Sequence, residues 1–245
     1  MIAACLRRVL DVVSGLHMFL KDDSEFRRQE SGGELIDLRQ PPDDQPIAHA
    51  KAKTTQAKRV LMVGTDANVG KMTAALELCK AVSSKGIDTR FIATGQTGIL
   101  IAGSGIPLDR IAGDFMAGCL EDLILKNAEA DWLFIEGPGS FLHLAFSGLT
   151  AALLHGSMPD YMVLCQHAGR RLMRAQTKPI PSWLLLTHSL GPTTLGGVFS
   201  ITASGMTISG DPWIGPWPSV CCQAGPLNWR NAYGKKALLP PYPTS

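Results

Sequence analysis

Charge is scarce in this sequence, and neither sign dominates. Asp, Glu, Lys and Arg make up 18% of the 245 residues and leave a net charge of +2. That balance is too small to draw the chain to nucleic acid or to an anionic membrane surface. No basic patch interleaved with aromatics supports nucleic-acid recognition either. The six cysteines stand at 5, 79, 119, 165, 221 and 222. None pairs at C-x-x-C spacing and no Cys/His set has zinc-ligand spacing, so they read as reduced, mostly buried thiols of a cytoplasmic protein. An uninterrupted apolar run is also missing. Arg7, Arg8 and Asp11 break the first fifteen residues, which do not read as a signal peptide. Residues 179–210 carry no Asp, Glu, Lys or Arg. Pro, Gly, Ser and Thr punctuate them too often for a membrane span, which needs roughly 20 mainly apolar residues. Acid is the last shortage. Residues 171–245 contain one carboxylate side chain, Asp211, together with four of the five tryptophans and dense proline. Native domains seldom lose their acids so abruptly. The segment reads as an altered reading frame or a degenerate tail, with a genuine irregular domain as the alternative.

What is present is regular from Lys58 onward. RVLMVG (59–64) is a short, fully apolar strand of the kind buried on both faces of a parallel sheet. Residues 72–86 have a helical pattern closed by Gly86. Residues 88–94 read as a second strand, 107–128 as a helix opened by proline, and 131–137 and 160–166 as further strands, with a helix near 147–155. Strand–helix alternation of this kind predicts an α/β fold, a parallel sheet with flanking helices. Ahead of it, residues 1 to about 20 read as an amphipathic helix and an apolar segment. Residues 21–57, with Pro41, Pro42 and Pro46, read as linker or irregular structure. The expected units are therefore 1–57, 58–170 and 171–245.

The stretch VGTDANVGKMTAALEL (63–78) carries the chemistry. A Walker A loop has four residues between its glycines and a hydroxyl after its lysine. Here five residues separate Gly64 from Gly70, and Met72 follows Lys71. The physics of a phosphate loop needs only a strand ending in Gly, converging backbone amides and a helix N-terminus behind them. Gly64 and Gly70 allow close approach of an anion. The helix dipole already makes that end positive, so a lysine there is best explained by an anionic ligand. Thr73 stands one position late for the usual magnesium-holding hydroxyl. Glu136, in IEGPGS (135–140), follows a buried strand and is the Walker B candidate. G-T-D-x-x-V-G-K resembles the longer loop of dethiobiotin synthetase and related P-loop enzymes, which implies ATP and magnesium held by Thr73 and Glu136.

A closer resemblance covers roughly residues 10–170. LDVVSGLHMFLKDD (10–23), KRVLMVGTDANVGKMTAALEL (58–78), RFIATGQTGILIAGSGI (90–106), DFMAGCLEDLIL (114–125), IEGPGSFLHLAFSGLT (135–150) and LLHGSMPDYMVLCQHAGR (153–170) carry it. The chain resembles the DgcN-like family, long described only as a domain of unknown function and now associated with D-glutamate N-acetyltransferase activity. Lys-Met-Thr belongs to that family's pattern. The resemblance implies a P-loop NTPase-like domain preceded by the end of a truncated Rossmann-like domain and followed here by an irregular tail. It also implies acetyl transfer from acetyl-CoA to the amino group of D-glutamate or a similar small-molecule substrate. In that reading Gly64, Thr65, Asp66, Asn68, Val69, Gly70, Lys71, Met72 and Thr73, with Gln96 and Thr97, bind the cofactor. Glu136, His143 and Asp114 are the catalytic candidates, and Arg170 pairs with a substrate carboxylate or a phosphate. An ATP/magnesium ligase or kinase and an inactive nucleotide-binding fragment are the competing functions. Self-association is left open.

Overall fold

The computed structural model describes residues 1–27, 33–167, 170–177 and 179–180, and the backbone of 198–202 and 237–238. The expected tail, 171–245, therefore lies mostly outside the described residues, and so do Cys221 and Cys222. In chain order the elements are α1 (Ile2–Arg7), β1 (Val12–Ser14), α2 (Ser24–Arg27), β2 (Leu35–Asp37), β3 (Lys58–Gly64), α3 (Lys71–Ser83) and β4 (Thr89–Ile92). They continue with α4 (Gln96–Ala102), α5 (Gly113–Leu125), β5 (Trp132–Ile135), α6 (Ser147–Ser157), β6 (Tyr161–Gln166), β7 (Val198–Thr202) and β8 (Ala237–Leu238). Among the described residues no helix is long and apolar enough to cross a membrane.

Five strands form one parallel sheet in the order β4-β5-β3-β6-β7. β3 is central, and every residue from Arg59 to Gly64 is buried. Its side chains alternate between two cores, as a two-sided strand requires. Leu61 and Val63 pack with Leu120 and Ile124 of α5 and Leu153 of α6. Val60 and Met62 pack with Ala74 and Ala75 of α3. The fully apolar run legible in the sequence is thus the sheet's axis. β7 comes from the segment expected to be irregular and extends the sheet beside β6, from Met162↔Val198 to Gln166↔Thr202.

The segment expected to be linker or irregular structure is largely irregular between β2 and β3, and it is docked on the rest of the fold. β2 pairs in parallel with β1, from Val12↔Leu35 to Ser14↔Asp37, in a second small sheet ordered β2-β1-β8. The Asp37 carboxylate accepts the amides of Leu20 and Lys21, at 3.0 Å each. Further on, buried Glu121 of α5 accepts the amides of His49 at 2.8 Å and Ala52 at 3.4 Å. A Cβ at Gly118 would lie 1.9 Å from the Pro46 carbonyl, so this glycine lets the segment lie directly on α5. Arg59 then ties the start of β3 to β6. Its guanidinium donates to both Asp160 oxygens at 3.0 and 3.1 Å, and its amide donates to Oδ2 at 2.8 Å. The helix expected over 107–128 is shorter, because Ile111 and Ala112 are extended and split off a 3-10 turn, Leu108–Arg110.

Leu61 is fully buried on the central strand. Leu61→Ala is expected to lower unfolding free energy by about 2–5 kcal/mol in denaturant titration. Leu144→Ala, at an exposed position, should stay within about 0.5 kcal/mol of the parent.

Candidate functional site

The loop after β3 is held from beneath by one carboxylate. Thr65 donates its amide to the Cys165 carbonyl at 3.1 Å, joining the loop's start to the end of β6. Asp66 is completely buried. Its Oδ1 accepts the amide of Ala67 at 2.7 Å, and its Oδ2 accepts Arg170 Nη1 at 3.0 Å and the amide of Arg174 at 2.7 Å. Arg170 also donates to the carbonyls of Ala67 at 2.7 Å and Asn68 at 3.2 Å. Charge-assisted bonds of this kind are the strong ones. Asn68 and Gly70 then take left-handed φ angles of 52° and 90°, which turn the backbone into α3.

α3 begins with open donors. The first helical amide with a carbonyl partner is that of Ala74, on Gly70 O at 2.9 Å. The amides of residues 68–73 find no acceptor among the described residues. Residues 67–73 line a cleft of about 530 Å³ that also receives Thr94, Gln96, Thr97, Glu136 and Phe146. Unpartnered amides at a helix N-terminus, beside a glycine-rich turn, favour negative charge.

Two ionisable groups flank those amides. Lys71 lies almost wholly buried and donates Nζ to the Asp66 carbonyl at 2.7 Å. Gly64 makes room for it, since a Cβ there would stand 2.7 Å from Nζ. Burial lowers the Lys71 ammonium to about 8, against the pull of Cys165 and Asp66. Glu136 follows β5. Its Oε2 accepts the Thr94 amide at 3.1 Å, while Thr94 Oγ1 donates to the Glu136 carbonyl at 2.9 Å. A Cβ at Gly98 would come within 2.3 Å of Oε2, so this glycine of α4 supplies the carboxylate's space. Burial raises the Glu136 carboxyl above its ordinary value, and amide hydrogen bonds from Thr94 and Gly95 oppose the rise.

Of the residues singled out in the sequence, Asn68, Val69, Gly70, Lys71, Met72, Thr73, Gln96, Thr97 and Glu136 line the cleft. Gly64, Thr65 and Asp66 lie buried beneath it. Three others lie elsewhere. Asp114 is exposed in the first turn of α5 and does not line the cleft. His143 is buried, with Nδ1 accepting the Ala145 amide at 3.3 Å and Nε2 facing the Arg174 carbonyl at 3.0 Å. Both ring nitrogens are engaged, so the ring braces the wall and is not placed to carry protons in the cleft. Arg170 is committed to the loop, as above, and does not reach out to a substrate.

Sequence reasoning missed Asp109 and Arg174, which do line the cleft. Asp109 is ion-paired with Arg39, whose Nε donates to the Gly15 carbonyl at 2.8 Å. A Cβ at Gly15 would stand 3.1 Å from Gln96 Cγ, so the end of β1 abuts the cleft's far side. No spacing signal marks either residue. Among the described residues no group of three or more His, Cys, Asp or Glu is placed to hold a metal ion.

A parallel sheet with this loop, its open helix end and a carboxylate at the neighbouring strand's tip defines a P-loop α/β protein. The chain belongs to the DUF1611 family. Residues 46–209 match its model, "Domain of unknown function (DUF1611_C) P-loop domain", and residues 1–41 match "Domain of unknown function (DUF1611_N) Rossmann-like domain". The chain is similar to two proteins named D-glutamate N-acetyltransferase. One, from Tritonibacter scottomollicae, is 44% identical over 69% of this chain and 51% of its own length. The other, from a Pseudoalteromonas species, is 42% identical over 71% of this chain and 52% of its own. The chain thus spans about half the length of the curated relatives it matches. Among solved structures, a DUF1611 family protein from Anabaena variabilis ATCC 29413 has a TM-score of 0.75 and 32% identity, covering 81% of this chain and 62% of that one.

Removing Arg170 would leave the Asp66 carboxylate buried without its cation. Arg170→Ala is expected to cost roughly 3 kcal/mol of unfolding free energy, read by denaturant titration. A stability equal to the parent's would mean that the arginine does not hold the loop.

Proposed function

We propose that the chain is an N-acetyltransferase that moves the acetyl group of acetyl-CoA to the amino group of D-glutamate or a similar D-amino acid, with the P-loop holding the donor's phosphates. The observation that carries this reading is the row of unpartnered amides at residues 68–73, which suits a diphosphate. The name borne by the relatives at 42–44% identity supplies the reaction class. In the transfer, a C–N bond forms as the thioester C–S bond breaks, the amine's proton goes to a base and the sulfur leaves as a thiol.

Glu136 suits the base. It lines the cleft, and burial raises its carboxyl toward the range where a base works near neutral pH. The Gln96 and Thr97 amides, at the start of α4, suit the developing oxyanion. Direct transfer is favoured over an acyl-cysteine. Cys165 lies under the loop, and burial pushes its thiol up to about 11, so it stays protonated at neutral pH. The four described cysteines are free thiols, which supports a cytoplasmic setting.

One observation favours a second reading, ATP with magnesium. Thr73 and Glu136 line the same cleft, and a hydroxyl with one carboxylate fits the few protein ligands that magnesium takes beside substrate phosphates. Bound there, the ion would neutralise phosphate charge.

The two readings separate in one assay. The purified chain with acetyl-CoA and D-glutamate, and no ATP, is expected to release thiol only when both substrates are present. Glu136→Gln is expected to lower kcat by about 10²–10⁴-fold. Magnesium-dependent ATP hydrolysis without thiol release would replace the first reading by the second. The lysine provides a pH test. A bound phosphate holds the proton on Lys71, whereas the free ammonium loses it near 8. Binding therefore takes up a proton as pH rises past that value, and acetyl-CoA affinity should fall between about pH 7 and about pH 9.5. Calorimetry in buffers of different ionisation enthalpy measures both effects. Equal affinities, with no proton uptake, would remove Lys71 from the anion site.

A further inference from the structure

The cleft has a cation that the mechanism above does not use. Arg174 is one of its lining residues. The main chain at this residue is pinned twice. Its amide donates to the buried Asp66 Oδ2 at 2.7 Å, and its carbonyl faces His143 Nε2 at 3.0 Å. The amide of Ala145 donates to His143 Nδ1, so Nε2 carries the proton and donates to that carbonyl. Two bonds from two different elements thus fix where the Arg174 side chain starts. The side chain itself is exposed, and its guanidinium has no hydrogen bond or ion pair among the described residues.

The two neighbouring cations are engaged. Arg170 donates to Asp66 and to the carbonyls of Ala67 and Asn68. Lys71 is turned in on the Asp66 carbonyl. Arg174 is therefore the cleft-lining arginine left available to a ligand, in the same cleft that residues 68–73 line. A planar guanidinium offers paired donors that match two oxygens of one phosphate. A rigid main-chain mounting lowers the ordering cost of using them.

We propose that Arg174 is the phosphate clamp of this cleft, its guanidinium pairing with one phosphate of a ligand whose diphosphate faces the loop amides. The inference rests on the reading of the cleft as a phosphate site, and the test separates the two. The full chain and its Arg174→Ala, Arg174→Lys and Arg171→Ala variants are titrated by calorimetry with acetyl-CoA, 3′-dephospho-acetyl-CoA and inorganic pyrophosphate. Loss of the clamp should weaken acetyl-CoA binding about 10- to 100-fold. Arg174→Lys should lose less, because it keeps the charge without the fork. Arg171→Ala, at an exposed position that does not line the cleft, should match the parent. Thermal unfolding should change little, since both pinning bonds use the main chain; if Arg174→Ala does not fold, Arg174→Lys and Arg174→Gln carry the comparison.

An equal loss for pyrophosphate supports a clamp on the diphosphate. A loss for acetyl-CoA alone, absent for its 3′-dephospho form, supports a clamp on the ribose phosphate. Parental affinities in the Arg174 variants would overturn the proposal while leaving the cleft reading standing, and a raised KM for D-glutamate alongside them would assign the arginine to a carboxylate. A parent chain that binds none of the three probes would overturn both.

Discussion

The buried carboxylate of Asp66 is the interaction on which the site depends. It sits at zero exposure inside the loop and receives three donors: its neighbour's amide, a guanidinium and an amide from beyond β6. An isolated buried carboxylate would cost several kcal/mol, so these donors are obligatory partners. Their consequence is geometric. With Ala67, Arg170 and Arg174 gathered on one side chain, the loop cannot swing away from the end of the sheet. The residues after it are then held along the cleft. The spacing of five residues between Gly64 and Gly70 has a use here, because one of the five turns its side chain inward and becomes the loop's own support.

That support also sets the electrostatics. The Asp66 carbonyl takes the Lys71 ammonium, and the same burial that makes this bond dry lowers the lysine's proton affinity. Across the cleft, burial pushes Glu136 the opposite way. Both shifts move the groups toward neutrality, the direction desolvation always favours. At about 8 the lysine still holds its proton at neutral pH, and a nearby anion would hold it there to higher pH. The open cleft thus has a buried lysine of lowered proton affinity at its loop side and a carboxyl of raised proton affinity at its α4 side.

Much of the scaffold was legible from residue order. The apolar run 59–64 is β3, and Gly64, Gly70 and Lys71 mark a strand–loop–helix unit whose physics is local. The helix starting at Gln96 was not, because Gly-Gln-Thr-Gly resembles a turn; its second glycine is there to admit the Glu136 carboxylate, a contact 38 residues away in sequence. Likewise Pro41, Pro42 and Pro46 suggested linker or irregular structure, without showing that the segment docks. The reasons the segment docks lie in α5, in Gly118 and Glu121, and depend on a tertiary approach that no local pattern encodes. The charged residues were the least legible. Asp66 looked like a ligand-facing group and faces inward. Asp114 looked available and points to solvent, while Asp109, five positions earlier, reaches the cleft. Sequence gives the inventory of charges, but which side of a turn each occupies is decided by packing.

The pair Arg170 and Arg174 shows this most sharply, and links the two sheets' roles. Both follow β6 and both meet Asp66, one through its side chain and the other through its backbone. The first therefore gives its charge to the fold, and the second leaves its guanidinium exposed. On the opposite wall the same division recurs. Arg39, from the segment after β2, closes on Asp109 and on the Gly15 carbonyl at the end of β1. Gly15 in turn lets the small sheet come up against Gln96. The cleft lies at the carboxyl ends of β3 and β5, the position where parallel sheets present ligands to loop residues, and the end of β1 abuts its lining residue Gln96. The small N-terminal sheet thus supports the cleft from behind, because Gly15 and Arg39 touch its lining residues Gln96 and Asp109.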